Sequence, residues 1–199
     1  MGGELLKDVK FADDQGMLSE TERGLQMIMD ALTRVGKLYD MKINVKKTKV
    51  MRVCRHGNER EGRNSLNIMI DGEKVEQVNQ FRYLGSLISD DGSCLAKIKS
   101  RIAMAKDAFN NRRELLTKRM NKELKKRIIK TVVWSVALYG AETWTLRQSE
   151  KNRLEAFEMW TWRNMENISW NDNVTNEHVL NLVNENRRIL DMIFERKKR

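Results

Sequence analysis

The sequence predicts an α+β protein in which short strands come first and helices follow. Two adjacent carboxylates, Asp13 and Asp14, lie between short apolar runs, as at the tip of a β-hairpin. From about residue 93 onward, apolar residues recur every three or four positions, which indicates helices. The window 97–130 holds 13 basic and 3 acidic residues and so carries the whole net charge of +10.

The first predicted element is the hairpin that carries the two aspartates. The run Val9-Lys10-Phe11-Ala12-Asp13-Asp14 precedes Met17 and Leu18. At such a tip both carboxylates can reach a divalent cation, which favours oxygen ligands. By itself, however, an Asp pair more often marks an ordinary turn, because Asp caps its own backbone.

A helix and further short strands follow the hairpin. Ser19 and Glu22 have the spacing of a capping box, and an apolar stripe then runs from Leu25 to Tyr39. Strands are predicted at 41–45 and 48–53, around the basic corner Lys46-Lys47. Beyond a polar loop at 56–65, Asp71-Gly72 predicts a tight hairpin between 66–70 and 74–78, and residues 81–88 form another strand-like run.

The second half is predicted to be helical. One amphipathic helix begins at Leu95, and a second begins near Asn121, with Gly140 as its C-cap. In this second helix, the residues predicted to face inward are Leu124, Ile128, Val132, Val136 and Tyr139, and those predicted to face outward are Lys122, Lys125, Lys126, Arg127 and Lys130. Further helices are expected at 149–168, after Thr175, and at 189–194, and most of the five tryptophans are expected in the core.

The local charge excess favours contact with a polyanion, because each neutralised phosphate releases condensed counterions. The alternative is a solvated helix face, the usual explanation of scattered charge. Confinement of the excess to one window favours nucleic-acid binding. The candidate residues are Lys97, Lys99, Arg101, Lys106, Arg112, Arg113, Lys118, Arg119, Lys122, Lys125, Lys126 and Arg127.

Three short motifs occur in an order that carries more information than any one of them. They are Phe11-Ala12-Asp13-Asp14, Asn44-Val45-Lys46-Lys47-Thr48 and Tyr83-Leu84-Gly85. With them, nearly the whole chain resembles the C-terminal half of a non-LTR (LINE-type) retrotransposon reverse transcriptase, an RNA-directed DNA polymerase. The first two look like polymerase palm motifs, and the third looks like the motif that leads into the thumb.

The resemblance implies a partial palm at 1–92, a basic helical thumb at 93–140 and a helical C-terminal extension at 141–199. Asp13 and Asp14 would be catalytic ligands of Mg²⁺, with Asp13 the main ligand, and Lys47 would lie near the departing pyrophosphate. Tyr83, Leu84 and Gly85 would form a primer grip. The implied partners are an RNA template and an RNA–DNA or DNA primer duplex, held by the basic helices.

The chain also departs from the family pattern. Gln15-Gly16 follows the Asp pair where relatives more often have apolar residues. Relatives take another metal-binding Asp from an earlier palm strand, and their fingers also lie upstream, so we expect a fragment with little or no polymerase activity alone. The alternatives are a non-catalytic basic nucleic-acid-binding module and a helical protein-interaction domain.

Composition predicts an intracellular protein, nuclear or cytoplasmic, without a membrane partner. The sequence has no apolar run of transmembrane length and no secretory signal pattern. Cys54 and Cys94 lack the paired spacing of a zinc ribbon. The terminal segment Glu195 to Arg199 fits either a nuclear address or a frayed helix end.

Overall fold

The computed structural model describes residues 8–53, 65–118 and 120–198. The chain forms two compact units, the first made of Met1–Phe81 with Asp90–Gly92 and the second of Arg82–Ser89 with Ser93–Arg199. Across the described ranges, no helix is both long enough and apolar enough to cross a membrane. The loop predicted at 56–65 lies almost wholly outside the described residues.

The first unit consists of short strands around one long helix. Its elements are β1 (Asp8–Phe11), β2 (Asp14–Met17), α1 (Glu22–Leu38), β3 (Lys49–Val50), β4 (Met69–Ile70), β5 (Glu73–Lys74) and β6 (Glu76–Gln77). Strands β1 and β2 pair antiparallel, as do β4 and β5, whereas β3 and β6 pair parallel.

Both predicted hairpins of this unit are confirmed. In the first, Phe11 pairs with Asp14, so that Ala12 and Asp13 form the two-residue turn. In the second, Asp71 and Gly72 have φ of 49° and 83°. Positive φ at both positions is what a type I′ turn requires, and Asp-Gly adopts it readily.

Helix α1 is confirmed, but its cap differs from the prediction. Thr21, not Ser19, is the N-cap, and its hydroxyl accepts a hydrogen bond from the Gly24 amide at 3.1 Å. The Ser19 hydroxyl instead donates to the Thr21 carbonyl at 3.0 Å. The helix therefore begins at Glu22, because the first hydroxyl in the Ser-Glu-Thr run is used to shape the turn before the cap.

The strand predicted at 41–45 is wrong. The Asn44 carbonyl accepts the Lys47 amide at 3.1 Å and the Thr48 amide at 2.9 Å, and the Asn44 side chain accepts the Lys47 amide as well, at 3.1 Å. Asn readily forms such local turns, which compete with strand pairing. The strand predicted at 48–53 is present but short, as β3.

Helix α1 is joined to β4 by a side chain that substitutes for a neighbouring strand. The Gln26 amide group donates to the Met69 carbonyl and accepts from the Met69 amide, both at 2.8 Å. The small core of this unit lies beside that contact and consists of Met29, Val50, Leu66, Ile68, Ile70 and Val75.

The second unit is mainly helical. The described elements are β7 (Gln80–Tyr83), which begins in the first unit, β8 (Ser86–Ser89), α2 (Leu95–Asn110), α3 (Arg113–Thr117), α4 (Lys122–Ile128), a π-helical turn (Ile129–Val133), α5 (Trp134–Ala137), α6 (Gln148–Met165), α7 (Asn176–Val183) and α8 (Ile189–Lys198). The strand-like run predicted at 81–88 is a hairpin, because Leu84 and Gly85 form a turn between β7 and β8.

The predicted starts of two helices are confirmed. The Asn121 side chain accepts the Glu123 amide at 2.8 Å at the start of α4. The Thr175 hydroxyl accepts the His178 amide at 3.2 Å at the start of α7. These contacts are local, which is why the sequence alone reveals them.

One hydrophobic core fills the second unit and extends from Cys94 to Ile193, including residues on both sides of position 140. Trp134, Trp144 and Trp162 are fully buried in it, as the sequence predicts for most of the tryptophans. Trp134 and Trp162 meet edge to face at 5.4 Å between ring centroids, a favourable geometry for aromatic pairs.

The inward face predicted for the second basic helix is confirmed only in part: Ile128 and Val136 pack against the core, although they are not fully buried. The buried residues of this segment are Lys126, Ile129, Val133, Trp134, Ala137 and Leu138, whereas Leu124 and Tyr139 are exposed. The difference from the predicted face is already present in α4, before the π-helical turn at Ile129–Val133, since Lys126 is buried by its contacts with Glu185 and the Val183 carbonyl. Apolar periodicity also cannot identify a buried lysine.

Helix α8 begins on a buried carboxylate. Glu158 of α6 is fully buried, and its oxygens accept the Arg188 amide at 2.9 Å and the Ile189 amide at 3.4 Å. Desolvation raises the pKa of Glu158, and the two amide hydrogen bonds oppose this shift only in part. The carboxylate therefore provides first-turn acceptors at a cost in desolvation.

The burial of Glu158 predicts that the contribution of this group to stability decreases as pH rises. Because the folded state raises the Glu158 pKa above its ordinary value of 4.5, the contribution of this group to stability is greatest below that value and falls as pH rises through the raised pKa. We expect the free energy of unfolding of the wild type, minus that of Glu158→Gln, to decrease from pH 4 to 7 in urea titrations.

The control is Glu195→Gln, an exposed carboxylate of α8. The difference in free energy of unfolding between the wild type and Glu195→Gln should stay nearly constant over the same pH range. A Glu158→Gln difference that does not vary with pH would contradict the burial argument.

Candidate functional site

The predicted metal ligands lie at the tip of the β1–β2 hairpin. Asp14 occupies the last antiparallel pair with Phe11, and Asp13 lies in the turn beside Ala12, which has φ of 50°. Both aspartates are exposed, and Phe11 is 63% exposed. The hairpin thus presents two neighbouring carboxylates to solvent.

Two carboxylates fit the chemistry of Mg²⁺ but do not complete a site. Among the described residues, no group of three or more His, Cys, Asp or Glu side chains is placed to hold a metal ion. Mg²⁺ commonly binds through one or two carboxylates, with water and substrate phosphates as its other ligands. Asp13 and Asp14 can therefore act only as part of a shared coordination sphere.

Lys47 lies at the end of the turn that Asn44 organises, and it is exposed. Within the ranges that the structure describes, no hydrogen bond or ion pair joins Lys47 to Asp13 or Asp14. The position of the Lys47 amine leaves it available to an anion, and its predicted role near pyrophosphate stays a prediction.

In the motif Tyr83-Leu84-Gly85, Tyr83 ends β7, and Leu84 and Gly85 form the β7–β8 turn with φ of 48° and 72°. Arg101 of α2 donates from its guanidinium group to the Gly85 carbonyl. Tyr139 donates from its hydroxyl group to the Leu84 carbonyl at 3.2 Å. The Arg101 guanidinium lies over the Tyr139 ring, 4.3 Å from the ring centroid.

Sequence reasoning missed this contact. Periodicity places Arg101 on the outer face of α2 and Tyr139 on the inner face of the next helix, yet Arg101 is only 9% exposed and Tyr139 is 50% exposed. Both placements are wrong for the same reason. The two side chains reach the backbone of a distant turn, and helical periodicity carries no signal for that partner.

Lys126 is likewise predicted to face outward but is only 4% exposed. Its amine lies 2.6 Å from Glu123 and 3.4 Å from Glu185, and it donates to the Val183 carbonyl at 3.1 Å. Burial alone would lower the pKa of Lys126, but the hydrogen bonds and charges of the two glutamates outweigh it and raise the pKa. Lys126 is therefore a charged structural residue.

Other predicted nucleic-acid residues also have partners within the chain. Lys122 donates to the Leu182 carbonyl at 2.8 Å, Lys118 pairs with Glu114 at 3.0 Å, and Arg112 donates to the Ala108 carbonyl at 3.2 Å. Lys106 lies 5.0 Å from the centroid of the Trp160 ring. Lys118 and Arg112 are exposed, so their contacts are weak and exchangeable.

A smaller set of cations remains available. In the described part of the chain, five of the predicted residues make no ion pair, side-chain hydrogen bond or cation–π contact: Lys97, Lys99, Arg113, Lys125 and Arg127. Lys99, Arg113 and Arg127 are exposed, and the other two are partly exposed. Arg119 lies outside the described residues.

The chain is similar to an uncharacterised transposon-derived protein of Caenorhabditis elegans, with 22% identity over 165 residues. The similarity indicates a transposon-related origin. The aligned region covers 77% of this chain and 54% of the relative, so the chain spans about half the length of that protein. No protein-family model matches the chain, and no solved structure matches it.

The contrast between Lys126 and its neighbour Lys125 is testable. Among the described residues, Lys126→Gln leaves Glu185 with one cation, Lys130, whose amine lies 2.7 Å away, so we expect a loss of about 2 kcal/mol in the free energy of unfolding. Lys125→Gln removes the same charge from a partly exposed site and should change stability by less than about 0.5 kcal/mol. Equal effects in denaturant titrations would show that Lys126 is not a structural residue.

Proposed function

We propose that this chain is part of a retrotransposon reverse transcriptase, an RNA-directed DNA polymerase by descent. The observation that carries the proposal is the hairpin that presents Asp13 and Asp14 at its tip. Two features support it: the Asn44–Thr48 turn and the Tyr83-Leu84-Gly85 hairpin turn follow in the family's order. The similarity to a transposon-derived protein is consistent with this descent.

In this proposal Asp13 and Asp14 hold Mg²⁺ together with ligands from outside the described residues. When bound, the ion neutralises charge on a triphosphate and activates the primer 3′-hydroxyl. The contribution of this chain is to place two oxygen ligands side by side on a short hairpin. Lys47 offers a cation for the leaving pyrophosphate.

The Asp pair can be tested with Mn²⁺, which is paramagnetic and accepts the same oxygen ligands. In the full chain, we expect Mn²⁺ to broaden the amide NMR signals of residues 10–16 selectively. Asp13→Asn should raise the Mn²⁺ concentration that produces this broadening by about tenfold, because one of two charged ligands is lost. The matched control is Asp40→Asn, an exposed turn aspartate, which should leave the broadening unchanged.

Primer extension on a primed RNA template separates metal binding from catalysis in the same preparations. With two carboxylates alone, we expect no extension above background in Mg²⁺ or Mn²⁺. Extension that Asp13→Asn abolishes would contradict this expectation and show that the chain is catalytically sufficient. If Asp13→Asn leaves the Mn²⁺ broadening of the amide signals unchanged, the proposed metal site is contradicted.

We assign the role of the thumb, which holds the template and primer, to the second unit because this unit carries the available cations. Lys125 and Arg127 both belong to α4, and Lys97 and Lys99 lie in the first turns of α2. Contacts from such residues to phosphates are largely independent of sequence and weaken with salt. The buried Arg101 and Lys126 are not assigned to this set.

We expect the full chain to bind an RNA–DNA hybrid with a steep salt dependence. Replacing Lys125 and Arg127 by Gln should reduce the slope of log K against log[salt] by about two, because two phosphate contacts are lost. Fluorescence anisotropy between 50 and 200 mM salt measures this slope.

The matched control replaces Lys42 and Arg34, an exposed lysine and arginine of the first unit, by Gln. This pair removes the same charge and should leave the slope nearly unchanged. If the two double variants reduce the slope equally, binding depends on net charge and not on the cations of α4.

A second candidate function is a non-catalytic nucleic-acid-binding module. It is favoured by the five cations that make no polar side-chain contact in the described ranges, together with a hairpin that offers only two carboxylates. It predicts hybrid binding that is indifferent both to divalent metal and to Asp13→Asn. The metal-binding experiment therefore distinguishes the two functions.

A further inference from the structure

Helix α1 uses its polar side to bind the rest of the first unit and leaves much of its apolar side exposed. On the polar side, Gln26 binds both backbone groups of Met69, and Lys37 pairs with Asp71 at 2.6 Å. Met29 is the one residue of this helix that is fully buried. A surface helix ordinarily buries its apolar side against its own core. The apolar side of α1 therefore has surface left for a partner.

The exposed apolar residues form one continuous stripe. Met27, Ala31, Val35 and Leu38 recur at spacings of three and four residues, which places them on one side of the helix, and Tyr39 follows at its end. We call these five residues the α1 apolar face. Met27 is 64% exposed, Val35 47%, Leu38 78% and Tyr39 72%. Contiguous apolar surface of this kind marks an interaction site, whereas single exposed apolar residues do not.

The size and shape of the α1 apolar face suit a second copy of the chain. Burial of its four large side chains on both copies would remove roughly 1,000 Å² of surface, which reaches the lower limit for a stable interface. Ala31 lies in the middle of the stripe, where a small side chain lets two helices approach closely. Two-fold symmetry brings the same face of both copies together, so a single apolar face is sufficient for a closed dimer.

The charges beside the face fit an antiparallel pair of helices. Asp30 and Arg34 are exposed and lie one turn apart along one edge of the α1 apolar face. Asp30 accepts the Gln26 amide group at 2.7 Å and can accept a second donor, and Arg34 has no ion pair within the described ranges. In an antiparallel two-fold pair, the same edges of both helices face each other. Asp30 of each copy then meets Arg34 of the other.

We infer that the α1 apolar face binds the same face of a second copy of this chain, with the two helices antiparallel. The dimer buries the four large apolar side chains of each copy and forms two reciprocal Asp30–Arg34 ion pairs. Neither feature depends on the polymerase or nucleic-acid-binding role proposed above.

Sedimentation equilibrium of the full chain, freed of nucleic acid, measures its mass between roughly 1 and 200 µM. We expect a reversible dimer with a dissociation constant on the order of micromolar, as for other small interfaces. Leu38→Glu brings a carboxylate from each copy into the apolar contact and should raise the dissociation constant by about a hundredfold.

The matched control is Leu124→Glu, which changes a 46% exposed leucine of α4 in the second unit. It should leave the dissociation constant unchanged to within about twofold. Because both leucines are exposed, we expect both variants to unfold at the wild-type temperature in dilute solution, where the chain is monomeric.

Charge exchange tests the antiparallel arrangement. Asp30→Arg and Arg34→Asp each set like charges against one another in the dimer and should raise the dissociation constant by about tenfold. Mixed in equal amounts, the two variants bring opposite charges together at both positions. We therefore expect a heterodimer with nearly the wild-type dissociation constant. A folding defect in either variant could not be repaired by mixing.

Three results would overturn the inference. A wild-type chain that stays monomeric over the whole concentration range would leave the α1 apolar face to a different partner. A dimer that Leu124→Glu weakens as much as Leu38→Glu would not be formed through α1. Charge variants that do not pair when mixed would show that Asp30 and Arg34 do not meet across an antiparallel interface.

Discussion

Burial of Lys126 against Glu185 determines which cations of the second unit are available. The amines of Lys126 and Lys130 converge on one carboxylate at 3.4 and 2.7 Å, and this pairing ties α4 to the segment that follows α7. A buried charge must be matched, so α4 cannot rotate to expose Lys126 without breaking its contacts with Glu185 and the Val183 carbonyl. The register of α4 follows from this constraint, and Lys125 and Arg127 are left for an outside ligand.

Elsewhere in the second unit, too, buried charged side chains have structural partners within the chain and are not available to an outside ligand. Glu158 is buried to provide acceptors for the first turn of α8, and Arg101 is buried to hold the β7–β8 turn. A basic window of 13 cations therefore contains far fewer that can meet a phosphate. Composition predicts a polyanionic partner, whereas the packing of the helices determines which cations stay available to it.

The two parts of the candidate function differ in how completely this chain provides them. The first unit presents two carboxylates on an exposed hairpin, and coordination of Mg²⁺ needs further ligands. The second unit has a continuous core that supports its exposed cations without further residues. Nucleic-acid binding is thus the more self-contained of the two proposed activities.

Local chemistry was enough to predict several elements from the sequence alone. Asp71-Gly72 determines a hairpin because its backbone tolerates positive φ, and the Asn121 and Thr175 side chains determine where α4 and α7 begin. Only the tertiary structure decided the partners of Arg101 and Lys126, which contact carbonyl groups 16 and 57 residues away. Periodicity describes how often apolar residues recur, and it cannot show that a charged side chain has a partner on a distant segment.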